Sequence, residues 1–367
     1  MKVAFLTNII SSHQVELWDQ FISHDEVYFK YVYTKKENDE TRYKTTKRDY
    51  CVYSKDISAI EQFLDEYDIL IVSLGSIEDE RINKYLSGKN NLFIYSEHVS
   101  KKIDISKKCK KIKYYLYHLL HRGKYYKSIS RKNIVLCSSS HAGYDFHSSG
   151  FPKKNIFKFG YFPKYEFIDG ELKSFKNIVF SGRNIEWKHP EDSIFALEYL
   201  KNEGENFSLL IAGKGFENYQ FNNNDSVSVL GELDHDKLIT VLQNSDLYIF
   251  PSTREEGWGV ALPEAMASGC FIIANSAAGS TNYLIKNGFN GFTYRNRKQL
   301  IKRLNQYLAL SSRKKNIIRK NALETIKNTW NAKVAADRLY ELCSAKIQNV
   351  KFKKYKKGPL SSDPCIL

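Results

Sequence analysis

Pro251-Ser252-Thr253-Arg254-Glu255-Glu256-Gly257-Trp258-Gly259-Val260-Ala261-Leu262-Pro263-Glu264-Ala265-Met266-Ala267-Ser268-Gly269 decides how this chain reads. Seven residues separate Glu256 from Glu264, and Gly257-Trp258-Gly259 lies between them. The two glycines let backbone approach a ligand closely and turn N–H groups toward an anion. The spacing predicts a helix over residues 260–267, closed by Gly269, whose positive end would add to that field. Both carboxylates are then free to accept hydrogen bonds from hydroxyls. The combination suits a sugar attached to a phosphate.

Working outward, the stretch follows an apolar run at 247–250 that reads as a buried strand. Further strands are expected at 177–181, 208–212, 227–230 and 271–274, and helices at 193–202 and 235–244. The N-terminal half alternates in the same way, with strands at 3–7, 27–33, 68–74, 92–95 and 134–138 and helices at 15–22 and 57–64. Strands alternating with helices indicate parallel sheets covered on both faces. The expected organisation is two doubly wound domains, 1–168 and 169–330. A further segment, 331–367, holds a helix over 332–347 that crosses back to the first domain, and a basic tail. Ligands of open parallel sheets sit beyond the carboxyl ends of the strands. That rule places Asn8 to His13, His98, Gly182-Arg183, Gly213-Lys214-Gly215 and the opening stretch on the rims of the two sheets.

Composition narrows the class. At 367 residues two domains are a better expectation than one core, and 42% apolar content excludes disorder as the main state. No run of about 18 apolar residues predicts a membrane span. The first strand turns polar too soon for a signal peptide. The six cysteines show no CxxC spacing, which fits reduced thiols in a cytoplasmic protein and argues against a zinc site.

Arg183 and Lys188 lie five residues apart, and an Arg fork with a Lys ammonium can neutralise a diphosphate. Together with the downstream glutamates they carry a family resemblance. Residues 177–345 resemble the C-terminal domain of glycosyltransferase family 4, retaining enzymes of the GT-B fold. The matching stretches are Phe180-Ser181-Gly182-Arg183 with Lys188, Leu210-Ile211-Ala212-Gly213-Lys214-Gly215, Leu230-Gly231-Glu232-Leu233, Pro251-Ser252, Glu256-Gly257-Trp258-Gly259 and Glu264-Ala265-Met266-Ala267-Ser268-Gly269. Trp258 stands where the family usually has Phe. Val135-Leu136-Cys137-Ser138 with Gly150-Phe151-Pro152 resembles the end of the family's N-terminal domain, and the likeness is loose before residue 130.

The resemblance implies an α/β GT-B fold, two Rossmann-like domains facing a cleft. It implies transfer of a sugar from a nucleotide-sugar donor to a hydroxyl of a glycan or lipid-linked glycan acceptor, as in cell-surface polysaccharide synthesis. Glu264 would hold the ribose hydroxyls and Glu256 hydroxyls of the transferred sugar. Gly257, Trp258, Gly259 and Val260 would touch sugar and phosphate, with the turn glycines Gly182 and Gly213 on the donor side and Leu230 beside the base. Arg183 and Lys188 would stabilise the departing diphosphate, so that no metal or other cofactor is expected. Anomeric configuration would be retained by front-face attack, the leaving phosphate taking the acceptor's proton. Asp234-His235-Asp236 imitates a metal-binding Asp-x-Asp but reads as a helix N-cap region. His98 is a candidate for contact with the donor sugar, against a structural histidine. Asn8 and His13 are weak candidates for the acceptor side, since the first loop lacks the family's glycines.

Residues 101–127 hold ten Lys/Arg and one Asp, and residues 350–357 five Lys and no acid, which together account for 14 of the net +15. Ile112, Tyr115, Leu116, Leu119 and Leu120 would share one helical face beside Lys107, Lys108, Lys110, Lys111 and Lys113. Such a helix suits an anionic membrane surface, the inner face of the membrane for a cytoplasmic enzyme. The alternative is a solvated helix packed on its own domain. Two other functions compete: a GT-B-like sugar-nucleotide epimerase, and a basic nucleic-acid-binding protein. The latter lacks any base-reading module.

Overall fold

The computed structural model describes residues 1–34, 48–54, 65–73, 91–98, 130–168, 170–216 and 225–365. The expected helix over 57–64 and the basic segment 101–127, with Lys107, Lys108, Lys110, Lys111 and Lys113, lie outside the described residues. The chain forms two compact units, Met1–Lys164 with Trp330–Leu367, and Tyr165–Thr329.

In the first unit, β1 (Lys2–Thr7), β2 (Tyr28–Tyr33), β3 (Cys51–Tyr53), β4 (Ile69–Ser73), β5 (Leu92–Ser96), β6 (Ile134–Cys137) and β7 (Ile156–Lys158) make a parallel sheet. Its order is β3-β2-β1-β4-β5-β6-β7. Val3 pairs with Phe29 on one side and Ile69 on the other, so strand order reverses around β1. Val3, Ala4, Phe5, Ile69, Ile71 and Ile94 are completely buried, the pattern of strands covered on both faces. Helix α1 (Ser12–Phe21) follows β1, and α2 (Ala142–Ser148) follows β6. The Tyr31 hydroxyl accepts from the Ser11 amide at 3.2 Å and donates to Gln14 Oε1 at 3.1 Å, which fixes the loop between β1 and α1.

The second unit holds β8 (Asn177–Ser181), α3 (Glu191–Asn202), β9 (Ser208–Ala212), β10 (Val227–Gly231), α4 (His235–Gln243), β11 (Leu247–Phe250), α5 (Ala261–Ala267), β12 (Phe271–Asn275), α6 (Thr281–Leu284), β13 (Phe292–Tyr294), α7 (Arg297–Leu308) and α8 (Ser312–Asn328). Sheet order is β10-β9-β8-β11-β12-β13, all parallel, with the reversal between β8 and β11. Ile178, Leu209, Ile211, Leu247, Ile249 and Phe271 form its core with Leu197, Leu300 and Leu304. The last helix, α9 (Ala332–Ile347), belongs to the first unit and packs on α1. There His24 stacks on Tyr340 at 4.4 Å and meets Asp337 at 3.1 Å.

The expected boundary at 168/169 falls at 164/165 in the structure. Residues 165–168 and 170–176 are tied to the second sheet well before β8 starts. Ile168 N–H donates to the Ala267 carbonyl at 3.5 Å. Buried Arg319 of α8 donates to the carbonyls of Gly269 at 2.6 Å and Lys173 at 2.9 Å. Asp246 accepts from the Phe175 and Lys176 amides. The basic tail is also held: Lys354 lies over the Phe157 ring at 4.6 Å and Arg338 over Tyr355 at 3.9 Å. Beyond it, Leu360 N–H donates to the Lys158 carbonyl at 2.8 Å, and Lys158 N–H to the Ser361 carbonyl at 2.9 Å. The tail thus pairs with the outer edge of β7.

Candidate active site

Three neighbouring strand ends are stitched together on the rim of the second unit. The Gly182 amide donates to the Ala212 carbonyl at 2.9 Å, and the Gly213 amide to the Gly231 carbonyl at 2.7 Å. A Cβ added at Gly213 would lie 1.8 Å from the Gly182 carbonyl oxygen, so the turn after β9 can approach the turn after β8 only as glycine. Asn184 locks the same loop, its side chain donating to the Gly215 carbonyl at 2.8 Å. Arg183 is exposed on this loop. The chain then makes a 3-10 turn at Glu186–Lys188, leaving through His189 at φ 50°. The Thr253 amide donates to the Trp187 carbonyl at 2.8 Å, coupling this turn to the loop after β11.

That coupling brings Lys188 Nζ to 2.7 Å from Glu256 Oε2, an ion pair with both side chains largely buried. The partners come from the two strands that flank the reversal of strand order. Trp258, 2% exposed, anchors the glycine pair. Its carbonyl accepts from the Ser280 amide at 3.2 Å, and the Glu256 carbonyl from the Gly279 amide at 3.3 Å. Gly259 has φ 75°, and a Cβ there would meet Phe250 at 2.5 Å and the Glu256 side chain at 3.0 Å. The helix expected over 260–267 begins one residue later, with Val260 at its cap position. Two turns long, it offers its first N–H groups rather than an extended macrodipole.

Glu264 sits in the first turn of α5 and is 3% exposed. Its nearest charged partner is His235, whose Nε2 lies 3.4 Å from Glu264 Oε1. Asp234 caps α4, accepting from the Lys237 amide at 2.9 Å, in accord with the cap reading of this run. Glu166, His235 and Asp236 bring ligand-type atoms within 4.8 Å of one another, the two carboxylates being exposed. The adjacent Glu264 carboxylate, partly opposed by desolvation, holds the His235 imidazole above its usual pKa, and the charges of Glu166 and Asp236 act in the same direction. Leu230 is half-buried at the end of β10, and Val229 beside it is exposed. Tyr248 links β11 back to β8, its hydroxyl 2.9 Å from Ser181 Oγ.

On the rim of the first unit, His98 follows β5 and is 2% exposed, with Nδ1 3.2 Å from Ser139 Oγ. The His141 ring meets it edge-on at 5.9 Å. Asn8 follows β1, and its carbonyl accepts from the Thr34 amide at 3.2 Å. The His13 carbonyl accepts from the Phe162 amide at 3.0 Å, and its ring lies 6.5 Å from Tyr161. The structure therefore groups Gly182, Lys188, Gly213, Glu256, Gly257, Trp258, Gly259 and Glu264 on one sheet's rim, and His98, Asn8 and His13 on the other's. Sequence reasoning missed five residues: His235 as a partner of Glu264, Tyr165 and Glu166 beside them, and Ser139 with His141 beside His98. The Asp-His-Asp run drew attention to His235 as a metal mimic, not as a glutamate partner.

Residues 162–325 match the family model described as glycosyl transferases group 1. A protein of Methanocaldococcus jannaschii described as an uncharacterized glycosyltransferase is 30% identical over 180 residues, and the match spans 45% of this chain and 45% of that one. Among solved structures, HepE of Anabaena in complex with UDP is similar over 94% of this chain and 100% of its own, with TM-score 0.62 and 14% identity. A glycosyltransferase of Rickettsia africae is similar over 95% and 99%, with TM-score 0.62 and 12% identity. WaaG, described as a glycosyltransferase involved in lipopolysaccharide biosynthesis, is similar over 96% and 100%, with TM-score 0.57 and 14% identity. At these identities the likeness establishes the fold: two parallel-sheet α/β domains of the GT-B class.

Proposed function

We propose that this chain is a retaining glycosyltransferase. It moves a sugar from a nucleotide-sugar donor to a hydroxyl of a glycan or lipid-linked glycan, in the synthesis of a cell-surface polysaccharide. The observation that carries this reading is the Lys188–Glu256 ion pair at 2.7 Å, set at the reversal of strand order beside the glycine pair. A donor entering there offers each partner a replacement. Its diphosphate takes Lys188, and hydroxyls of its sugar take Glu256. Glu264 then accepts from the ribose. HepE, a fold neighbour, has been solved with UDP and glucose, which supports a donor of this chemistry. The glycosyltransferase descriptions of the matches favour transfer over epimerisation.

In this reading Arg183 and Lys188 neutralise the departing diphosphate with no metal required, and the acceptor hydroxyl attacks from the face the phosphate leaves. The leaving phosphate oxygen takes the hydroxyl proton, so the protein's part is positioning and charge stabilisation. His98 lines the donor sugar, and Asn8 and His13 the acceptor. The test is a panel of nucleotide sugars scored first by thermal stabilisation; a donor at 100 times its Kd stabilises by about 2.7 kcal/mol. The product's anomeric configuration is then read by NMR. No stabilisation by any sugar nucleotide removes the donor site, and an inverted product removes the retaining mechanism.

We further place the enzyme on the cytoplasmic face of an anionic membrane. Among the described residues no helix is long and apolar enough to cross one. Lys107, Lys108, Lys110, Lys111 and Lys113 supply the attraction, each worth about 1 kcal/mol near such a surface. Replacing all five by glutamine should lower partition onto phosphatidylserine vesicles by at least about a hundredfold at low salt. Vesicle binding unchanged by the replacement would remove this segment from the membrane.

A further inference from the structure

We propose that His235 is a positioning residue for donor binding: its imidazolium, with Nε2 3.4 Å from Glu264 Oε1, holds that carboxylate by charge in the place where it accepts from the ribose hydroxyls. The proposal rests on reading Glu264 as the ribose-binding group. It begins from a burial problem. A carboxylate 3% exposed needs charge or hydrogen-bond partners. Lys188, one of the cations on the same rim, is engaged by Glu256 at 2.7 Å. The nearest cationic group left to Glu264 among the described residues is His235, with Nε2 3.4 Å from Oε1.

The imidazole is itself well placed to carry charge. It is the first residue of α4, fixed by the Asp234 cap one residue earlier. Carboxylates face both ring nitrogens: Glu264 of α5 3.4 Å from Nε2, and Asp236 of its own helix 3.8 Å from Nδ1. Glu166, from the segment before β8, lies with Asp236 and the imidazole, ligand-type atoms of the three within 4.8 Å of one another. The Tyr165 and Tyr248 hydroxyls also feel the Glu264 charge, and burial keeps both neutral. A ring with a carboxylate facing each nitrogen favours the charged imidazolium. The upward shift of His235 agrees with this arrangement.

The consequence has a definite sign. A raised pKa keeps the imidazolium, and the grip on Glu264, at pH values below it, and releases that grip as pH rises through it. Donor affinity should therefore fall toward alkaline pH while the chemical step, which uses Lys188 and Arg183, changes little.

The test uses the full chain and the sugar nucleotide that stabilises it most among UDP-glucose, GDP-mannose and ADP-glucose. The diphosphate of each is esterified at both ends and keeps its charge near neutrality. Kd, KM and kcat are measured from about pH 6 to about pH 9 with EDTA present, which spans the histidine range. Wild type should weaken by about fivefold or more across it, and His235→Ala should weaken donor binding about tenfold at the acid end with kcat nearly unchanged. His235→Gln, which donates a hydrogen bond but does not titrate, should recover part of the affinity and show a flat profile. A pH response that persists in His235→Gln overturns the proposal, as does wild-type affinity in His235→Ala at every pH. Should Glu264→Gln also bind as wild type, the ribose reading has failed. Should Glu264→Gln weaken binding while both His235 variants do not, the role of His235 alone has failed.

Discussion

Lys188→Ala is expected to lower kcat by roughly a hundred- to a thousandfold, the cost of removing one preorganised charge from a developing anion, about 2.7–4 kcal/mol. The argument runs from the geometry of the free protein. Lys188 is fixed at the end of a 3-10 turn and held by Glu256, so its ammonium is already positioned before a donor arrives. A diphosphate carries more negative charge when the glycosidic bond breaks than when the donor is bound. The lysine therefore acts more strongly in the transition state than in the ground state. Donor Kd should move by about tenfold or less, because Arg183 and the Gly182–Gly213 turns remain. Removal of Lys188 also leaves Glu256 largely buried without its partner, so Lys188→Ala with Glu256→Gln separates that local cost from the catalytic one. Single-turnover rates at saturating donor measure the effect. A kcat within threefold of wild type would remove Lys188 from the leaving-group site.

Glu264→Ala is expected to weaken donor binding by about a hundredfold, from the loss of two charge-assisted hydrogen bonds of about 1.5 kcal/mol or more each. The side chain lies in the first turn of α5, buried between the β11 rim and His235, and its loss leaves α5 its backbone hydrogen bonds. Here the change should fall on Kd and KM, with kcat at saturation reduced much less, since ribose contacts are made equally in ground and transition states. Calorimetric titration with the nucleotide sugar gives the number directly. Unchanged affinity would move the ribose elsewhere.

The second unit was legible because its strands are mostly apolar and the ends of β8, β9 and β10 are marked by glycines. Strands expected at 177–181, 208–212 and 247–250 carry those bounds in the structure, and the helix over 332–347 does too. The strands that went unread, β3, β7 and β13, have three residues each, too few for any periodicity to declare itself. Charge was read less well. Residues 295–327 hold eleven Lys/Arg and a single Glu, a balance of 11 − 1 = +10 hidden in the total by acids elsewhere in the chain. On α7 and α8 these groups serve different ends. Arg319 is buried against backbone carbonyls, Arg303 donates to the Thr293 carbonyl at 2.8 Å, and Lys315 lies over the Tyr307 ring. Net charge by segment could not separate structural cations from exposed ones. In the site, the two glutamates and Lys188 were legible because their spacing is local. The His235–Glu264 contact was not, because it joins residues from separate helices that only the fold brings together.

The return of α9 and the paired tail to the first unit has a consequence for biogenesis. On the ribosome, every residue of 165–329 is made before residues 330–365, which the first unit needs for the packing of α1 and the edge of β7. The second unit can thus finish folding during synthesis while the first still waits with α1 uncovered. A stalled or prematurely stopped chain would carry a complete second unit attached to an incomplete, chaperone-dependent first one.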